Sequence, residues 1–229
     1  MRASAIIVAA GSGQRLGLDQ PKAFVRVGAQ TMLARVLGTL KSVSAVVEIV
    51  VAVPAGAEKS ARAEAHAAGV VVPVKITAGG AERQDSVRIA LALTSAESDL
   101  VVVHDAARPF ATRELFERCL DAAAAGGAAI AAIAIADTLK RISGGAIAAT
   151  VARAGLWQAQ TPQAFECRLL IDAHARAARD NIAATDDAEL IERIGRRVEV
   201  VEGSASNIKI TTPADLDIAR AMAALELTN

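Results

Sequence analysis

The chain has 229 residues but very few aromatic side chains: four Phe, one Trp and no Tyr. With aromatics at 2% and apolar residues at 53%, the core has to be built from Val, Ile, Leu and Ala. An excess of charge of one sign is also missing, since 25 basic residues balance 25 acidic ones. No basic surplus is available to neutralise a nucleic acid, so a charged small molecule is the expected partner. The two cysteines, Cys119 and Cys167, fall on helical segments without metal-ligand spacing, which implies a reduced, cytoplasmic protein. His66, His104 and His174 suggest no zinc cluster. The apolar stretch from Ala122 to Ala136 is too short to span a bilayer and contains Gly126-Gly127, so no membrane segment is expected. A signal peptide is not expected either, because a strand and a glycine loop begin almost at once. A Gly-x-Ser-x-Gly elbow is absent, which leaves a hydrolase triad unsupported.

What is present starts at the N-terminus. The run Ala5-Ile6-Ile7-Val8 leads into Ala9-Ala10-Gly11-Ser12-Gly13-Gln14-Arg15-Leu16-Gly17, with Pro21-Lys22 just beyond. A buried strand thus ends in a glycine-rich loop carrying two cations. Glycines let the backbone approach a ligand and point N–H groups at it, and Arg15 and Lys22 add full positive charge. Such a loop suits a polyphosphate and the charge that builds on it during reaction. Two common glycine loops are ruled out. The dinucleotide fingerprint needs a third small residue where Leu16 stands, and the ATPase phosphate loop needs a terminal Gly-Lys-Ser/Thr. The spacing Gly-x-Gly-x-Arg-x-Gly followed by Pro-Lys is typical of nucleotidyltransferases acting on sugar or polyol phosphates. Residues 12–22 are rich in glycine and solvent-facing polar groups and are expected to be mobile before a nucleotide arrives.

Apolar, β-branched runs alternate with helical patterns. Strands are expected at Ala3–Ala9, Val46–Val53, Val70–Thr77, Leu100–His104, Ala128–Ile135 and Arg197–Val201. Helices are expected at Thr31–Leu40, Glu58–Ala68, Gln84–Leu93, Arg113–Ala125, Cys167–Ala178, Asp187–Ile194 and Ala214–Leu225. This alternation predicts one α/β domain over residues 1–229, with a mostly parallel sheet covered by helices on both faces. Ligands of such sheets bind at the carboxyl ends of the strands, where the motifs fall. Residues 137–153 depart from the pattern. Two short strand-like pieces flank Ser143-Gly144-Gly145, which reads as a β-hairpin arm held by a second copy of the chain.

Further segments carry candidate chemistry. Gly79-Gly80-Ala81-Glu82-Arg83-Gln84-Asp85-Ser86 is a second glycine turn entering a helix, suited to reading a base edge. His104-Asp105-Ala106-Ala107-Arg108-Pro109 follows a strand. There Asp105 is able to hold Mg²⁺ or accept hydrogen bonds from sugar hydroxyls, and Arg108 to fork onto a phosphate. His104 reads as a packing residue at the strand end rather than a base. Thr161-Pro162-Gln163 follows the lone Trp157, and Thr185-Asp186-Asp187 reads first as a helix cap. Asn207-Ile208-Lys209-Ile210-Thr211 reads as a short strand that brings Lys209 to the site as a phosphate ligand.

These motifs, in this order and over essentially the whole chain, resemble the 2-C-methyl-D-erythritol 4-phosphate cytidylyltransferases of the non-mevalonate isoprenoid pathway. The resemblance adds Asp137-Thr138-Leu139-Lys140-Arg141 and Leu156-Trp157 to the segments above. It implies a Rossmann-like fold of the nucleotide-diphospho-sugar transferase type. It also implies a reaction of CTP with a polyol phosphate, assisted by Mg²⁺ or another divalent cation near Asp105. By resemblance, Arg15 and Lys22 stabilise the crowded charge, and Arg153 and Lys209 join them as catalytic cations. Ala9, Ala10, Gly11, Ser12, Gly13, Gly79, Gly80 and Ser86 match nucleotide-binding positions. Asp105, Ala106, Arg108, Thr138, Thr161 and Thr185 match positions around the polyol phosphate. Thr138 and Arg153 lie on the arm, which in this family is exchanged within a homodimer, so they are expected to complete a partner's site. The chain departs from the family pattern at Val8, where many relatives carry proline, and at Ala81, where an acid often provides a ribose contact. Some relatives are fused to a cyclodiphosphate synthase, and this chain, ending at Asn229, is expected to lack that activity. Two other readings remain at this point: transfer to another polyol phosphate such as ribitol 5-phosphate, used by a related cytidylyltransferase, and nucleotide binding without catalysis. Retention of both Arg15 and Lys22 argues against the latter, and Leu16 argues against a redox protein binding NAD.

Overall fold

The computed structural model describes residues 1–17 and 20–226. In chain order its elements are β1 (Ala3–Val8), β2 (Arg26–Val27), β3 (Gln30–Thr31), α1 (Met32–Leu40), β4 (Val46–Val53), α2 (Glu58–Ala67), β5 (Val74–Ala78) and α3 (Arg83–Leu91). Then come β6 (Leu100–Asp105), α4 (Arg113–Gly126), β7 (Ala128–Ala134), β8 (Leu139–Ser143), β9 (Ala146–Val151), β10 (Trp157–Glu166), α5 (Cys167–Arg179), α6 (Asp187–Arg193), β11 (Glu199–Glu202) and α7 (Pro213–Glu226). Seven strands form one sheet in the order β11-β7-β10-β6-β1-β4-β5. Its neighbours pair in parallel except at β10, which runs antiparallel to both β6 and β7.

The two-residue alternation of strand side chains sorts the core into two layers. Ala5, Ile7, Ile49, Val51 and Val102 face α1, α2 and α4, where they meet Leu33, Leu37, Phe116 and Leu120. Ile6, Val50, Val101 and Val103 face α3, α5 and α6, where they meet Val87, Leu170 and Ile191. A sheet apolar on both faces in this way cannot expose either, so the crossover helices cover both. A smaller cluster of Val25, Val27, Met32, Phe110, Ile210 and Leu216 seats α7 against the β2–β3 hairpin.

Three differences from the sequence expectations bear on the site. β5 begins at Val74 because Pro73 has no N–H to give the ladder; its carbonyl accepts from Ile49 N–H at 2.9 Å instead. β10 occupies the middle of the sheet, although the sequence pattern predicts no strand over Trp157–Glu166. Its polar run and Pro162 argue against a central strand by composition. The structure accommodates them in an irregular stretch between Ala159 and Gln163, where the register shifts. The short strand expected over Asn207–Thr211 does not form, and the segment is held by Ile210 N–H donating to the Ala107 carbonyl at 2.9 Å.

Register positions the functional segments. Val8 of β1 lies opposite Asp105 of β6 and Ala52 of β4, and Val53 lies opposite Ala78 of β5. The glycine loop after β1, the acid ending β6 and the glycine pair after β5 therefore leave the sheet side by side. Apart from this sheet, β8 and β9 form a separate two-stranded hairpin whose Ile142 and Ile147 are exposed. Among the described residues, no helix is long and apolar enough to cross a membrane.

Candidate active site

After Val8 the chain turns across the ends of the strands. Ala9 N–H still donates to Ala52 O at 2.8 Å, after which Gly13 adopts φ +76° and a short 3-10 turn forms at Gln14–Leu16. Lys22 N–H donates to Gly11 O at 3.3 Å, so the loop closes on itself and brings Lys22 back beside its start. A Cβ built on Gly11 would meet nothing within 4 Å, so this backbone faces open space. Of residues 12–22, Leu18 and Asp19 lie outside the described residues.

The second glycine turn is glycine for a different reason. A Cβ on Gly79 would come within 2.5 Å of the Ala10 Cβ and 2.7 Å of the Ser86 hydroxyl, and one on Gly80 would overlap Asp85. The two loops pack closely through the first of these contacts. Ser86 locks the turn: its hydroxyl accepts from Gly80 N–H and donates to Glu82 O, both at 3.1 Å.

Together the loops wall a cavity of about 330 Å³. Arg15, Lys22, Arg83, Asp105 and Lys209 line it, with Ala9 to Gly13, Gly80, Ser86 and Ala106. Asp105 is the electrostatic centre. Its Oδ1 accepts from Arg83 Nε at 3.1 Å, and its Oδ2 is 2.6 Å from Lys209 Nζ. Burial alone would raise its pKa, yet the two cations hold the carboxyl well below the usual range. Desolvation and the nearby charges of Lys209 and Arg15 lower Lys22 to about 8. Arg15, Lys22 and Lys209 thus line one cavity, an arrangement suited to an anion.

Other expected residues stand behind this cavity. Thr161 Oγ1 accepts from Asp105 N–H at 3.1 Å and pairs with His104 Nδ1 at 3.0 Å, while His104 Nε2 pairs with the Arg108 carbonyl at 3.0 Å. The carbonyl can only accept, so Nε2 carries the ring proton and the Thr161 hydroxyl donates to Nδ1. Burial pushes His104 down to about 4, which leaves it a neutral packing residue. Arg108 is buried and forks onto the carbonyls of Asn207 and Ala159, at 2.8 and 3.3 Å. Its guanidinium thus fixes the segment that presents Lys209, and Arg108 itself does not line the cavity. Thr185 is exposed and bonded to Glu189; Asp186 caps α6 by accepting from Glu189 N–H at 3.0 Å. Thr138 and Arg153 are exposed at the base of the arm and line no part of the cavity. Arg83 is the functional residue that sequence reasoning misses. Its one signal is a cation at the first position of α3, where the helix dipole disfavours positive charge unless acids compensate it.

The comparisons with known proteins agree with this geometry. The family model described as IspD, 2-C-methyl-D-erythritol 4-phosphate cytidylyltransferase, matches residues 3–225. The chain belongs to this cytidylyltransferase family. A curated member from Deinococcus radiodurans is 47% identical over 221 residues, spanning 96% of this chain and 89% of that protein. The crystal structure of the Thermus thermophilus cytidylyltransferase superposes with a TM-score of 0.83 at 40% identity, covering 98% of this chain and 100% of that one. The part of the "Bifunctional enzyme IspD/IspF" of Anaeromyxobacter dehalogenans that aligns is 44% identical, over 96% of this chain and 57% of that protein.

A divalent cation held by the chain alone does not fit this donor set. Both Asp105 oxygens are taken by cations, and among the described residues no group of three His, Cys, Asp or Glu is placed to hold a metal ion.

Proposed function

We propose that the chain transfers the cytidylyl group of CTP to 2-C-methyl-D-erythritol 4-phosphate, releasing pyrophosphate, as a cytoplasmic step of isoprenoid precursor synthesis. The observation that carries this reading is the convergence of Arg15, Lys22 and Lys209 on one cavity walled by two glycine loops. An oxygen of the polyol phosphate attacks the α-phosphorus of CTP in line. The new P–O bond forms as the α–β bridge breaks, and the electron pair leaves with pyrophosphate. The attacking group needs no base, because a phosphate monoester with a second pKa of about 6 is already largely dianionic at neutral pH. Catalysis is therefore a matter of positioning and charge. Ala9 to Gly13, Gly79, Gly80 and Ser86 hold the nucleotide, Arg15 and Lys22 stabilise the charge on its phosphates, and Asp105, Ala106 and Lys209 receive the polyol phosphate. Arg108 and Thr161 support that subsite from behind. Mg²⁺, expected from the resemblance, travels on the phosphates of CTP as part of the substrate.

The arm completes the assembly. We assign β8 and β9 to a homodimer in which Thr138 and Arg153 enter the partner's cavity; the exposed Ile142, Ile147 and Trp157 around the hairpin support this. Family membership does not favour ribitol 5-phosphate as the acceptor. The test is pyrophosphate release with CTP and Mg²⁺, offering methylerythritol 4-phosphate and ribitol 5-phosphate in parallel. Turnover of the first alone is expected. Turnover of ribitol phosphate, or CTP binding with neither turned over, overturns the reading.

A further inference from the structure

Two motifs singled out in the sequence, Thr161-Pro162-Gln163 and Thr185-Asp186-Asp187, lie outside the cavity, and the structure ties both to one side chain that lines it. Arg83 Nε donates to Asp105 Oδ1 at 3.1 Å and its Nη1 to Asp187 Oδ2 at 2.7 Å. Asp187 is 1% exposed and is held from three sides. Its Oδ1 pairs with His174 Nε2 at 3.0 Å, its N–H donates to Gln163 Oε1 at 3.2 Å, and Gln163 Nε2 donates to the neighbouring Asp186 carboxylate at 2.8 Å. The buried His174 Nδ1 has no partner, so the ring serves Asp187 as a donor through Nε2 alone. The result is a line of alternating charge and hydrogen bonds: His174, Asp187, Arg83, Asp105, Lys209.

We propose that Arg83 is a positioning residue of this site: anchored on Asp187, it holds the Asp105 carboxylate so that Lys209 stays available to the polyol phosphate, and the two motifs act on the reaction through it. The physical reason is competition for one carboxylate. With Arg83 in place, Asp105 divides its charge between two cations. Without it, Asp105 swings fully onto Lys209, and an incoming phosphate has to break a tighter ion pair to reach that lysine. The planar fork also matters, because two donors point at two different carboxylates. A lysine at this position offers a single point charge and cannot span both.

This inference rests on the proposed reaction, and its test keeps the two apart. Wild-type turnover is the control for the reaction itself. Given that turnover, Arg83→Gln is expected to raise KM for the polyol phosphate about tenfold with KM for CTP changed less than about threefold. Arg83→Lys should not rescue. Asp187→Asn should produce a similar defect, and the Arg83→Gln/Asp187→Asn double variant should be no worse than Arg83→Gln alone. If Asp187→Asn does not fold, His174→Leu replaces it, with His174→Gln, which keeps a donor, expected to behave as wild type. Losses that multiply in the double variant, or a defect shared equally between the two substrates, would overturn the proposal. A crystal structure of Arg83→Gln gives a readout independent of turnover. Asp105 Oδ1, freed from Arg83, is expected to rotate towards Lys209, which Oδ2 already reaches at 2.6 Å; finding the carboxylate in its present position would contradict the proposal whatever the substrate.

Discussion

Lys22 sits partly buried among like charges, and that has opposite consequences for stability and activity. In the folded chain it holds its proton only below about 8, against 10.5 in the unfolded chain. Below pH 8 both states are protonated and the folded state bears the whole cost. Between pH 8 and 10.5 the unfolded state binds more proton, so this penalty fades as pH rises. Lys22→Met should therefore stabilise the protein at pH 7 by about 1–2 kcal/mol once solvent screening of this partly exposed lysine is allowed for, with the gain shrinking towards pH 10. Denaturant unfolding at the two pH values checks this. The same variant should lose about 10²–10³ in kcat/KM, as expected when a preorganised charge at the reacting phosphate is removed. In the wild type, kcat/KM should fall as pH rises through about 8, because that ratio reports the free enzyme, where Lys22 releases its proton. The place of Arg15 and Lys22 in the cavity was legible in the sequence because glycine spacing and charge coincide in one loop. Arg83 was not, since its role depends on two acids 22 and 104 residues away that only the fold brings to it.

At the scale of elements, the parallel strands were legible because most are continuous apolar runs, and β4 matches its expected bounds, Val46–Val53. β10 was not, because its polar residues serve the site rather than the core. Thr161 supports the Asp105 backbone, Gln163 supports Asp187, and Gln160 receives Asn207 at 3.1 Å. A strand whose side chains are spent on hydrogen bonds carries no hydrophobic signature. The glycine turn after β5 makes a separate prediction. Gly79→Ala forces a methyl group against Ala10 and Ser86, so it should destabilise the fold by about 1–3 kcal/mol and weaken CTP binding more than polyol phosphate binding. Thermal unfolding and separate KM measurements distinguish the two effects.

For the whole molecule, the central issue is that the two glycine loops wall one cavity while Thr138 and Arg153 lie on an exposed hairpin arm and line no part of it. If the arm completes a partner's site, Arg15→Ala and Arg153→Ala proteins, each inactive, should regain activity when mixed, because a heterodimer contains one site with neither substitution. At most about a quarter of wild-type activity is expected from random pairing of equal amounts, and no recovery would contradict exchange of the arm. The most direct test of the account is pyrophosphate release by wild type and Lys22→Gln with CTP, Mg²⁺ and methylerythritol 4-phosphate. Turnover by the wild type and a fall of about 10²–10³ in the variant are expected. A wild type that binds CTP but releases no pyrophosphate, or a variant that turns over at the wild-type rate, would contradict it.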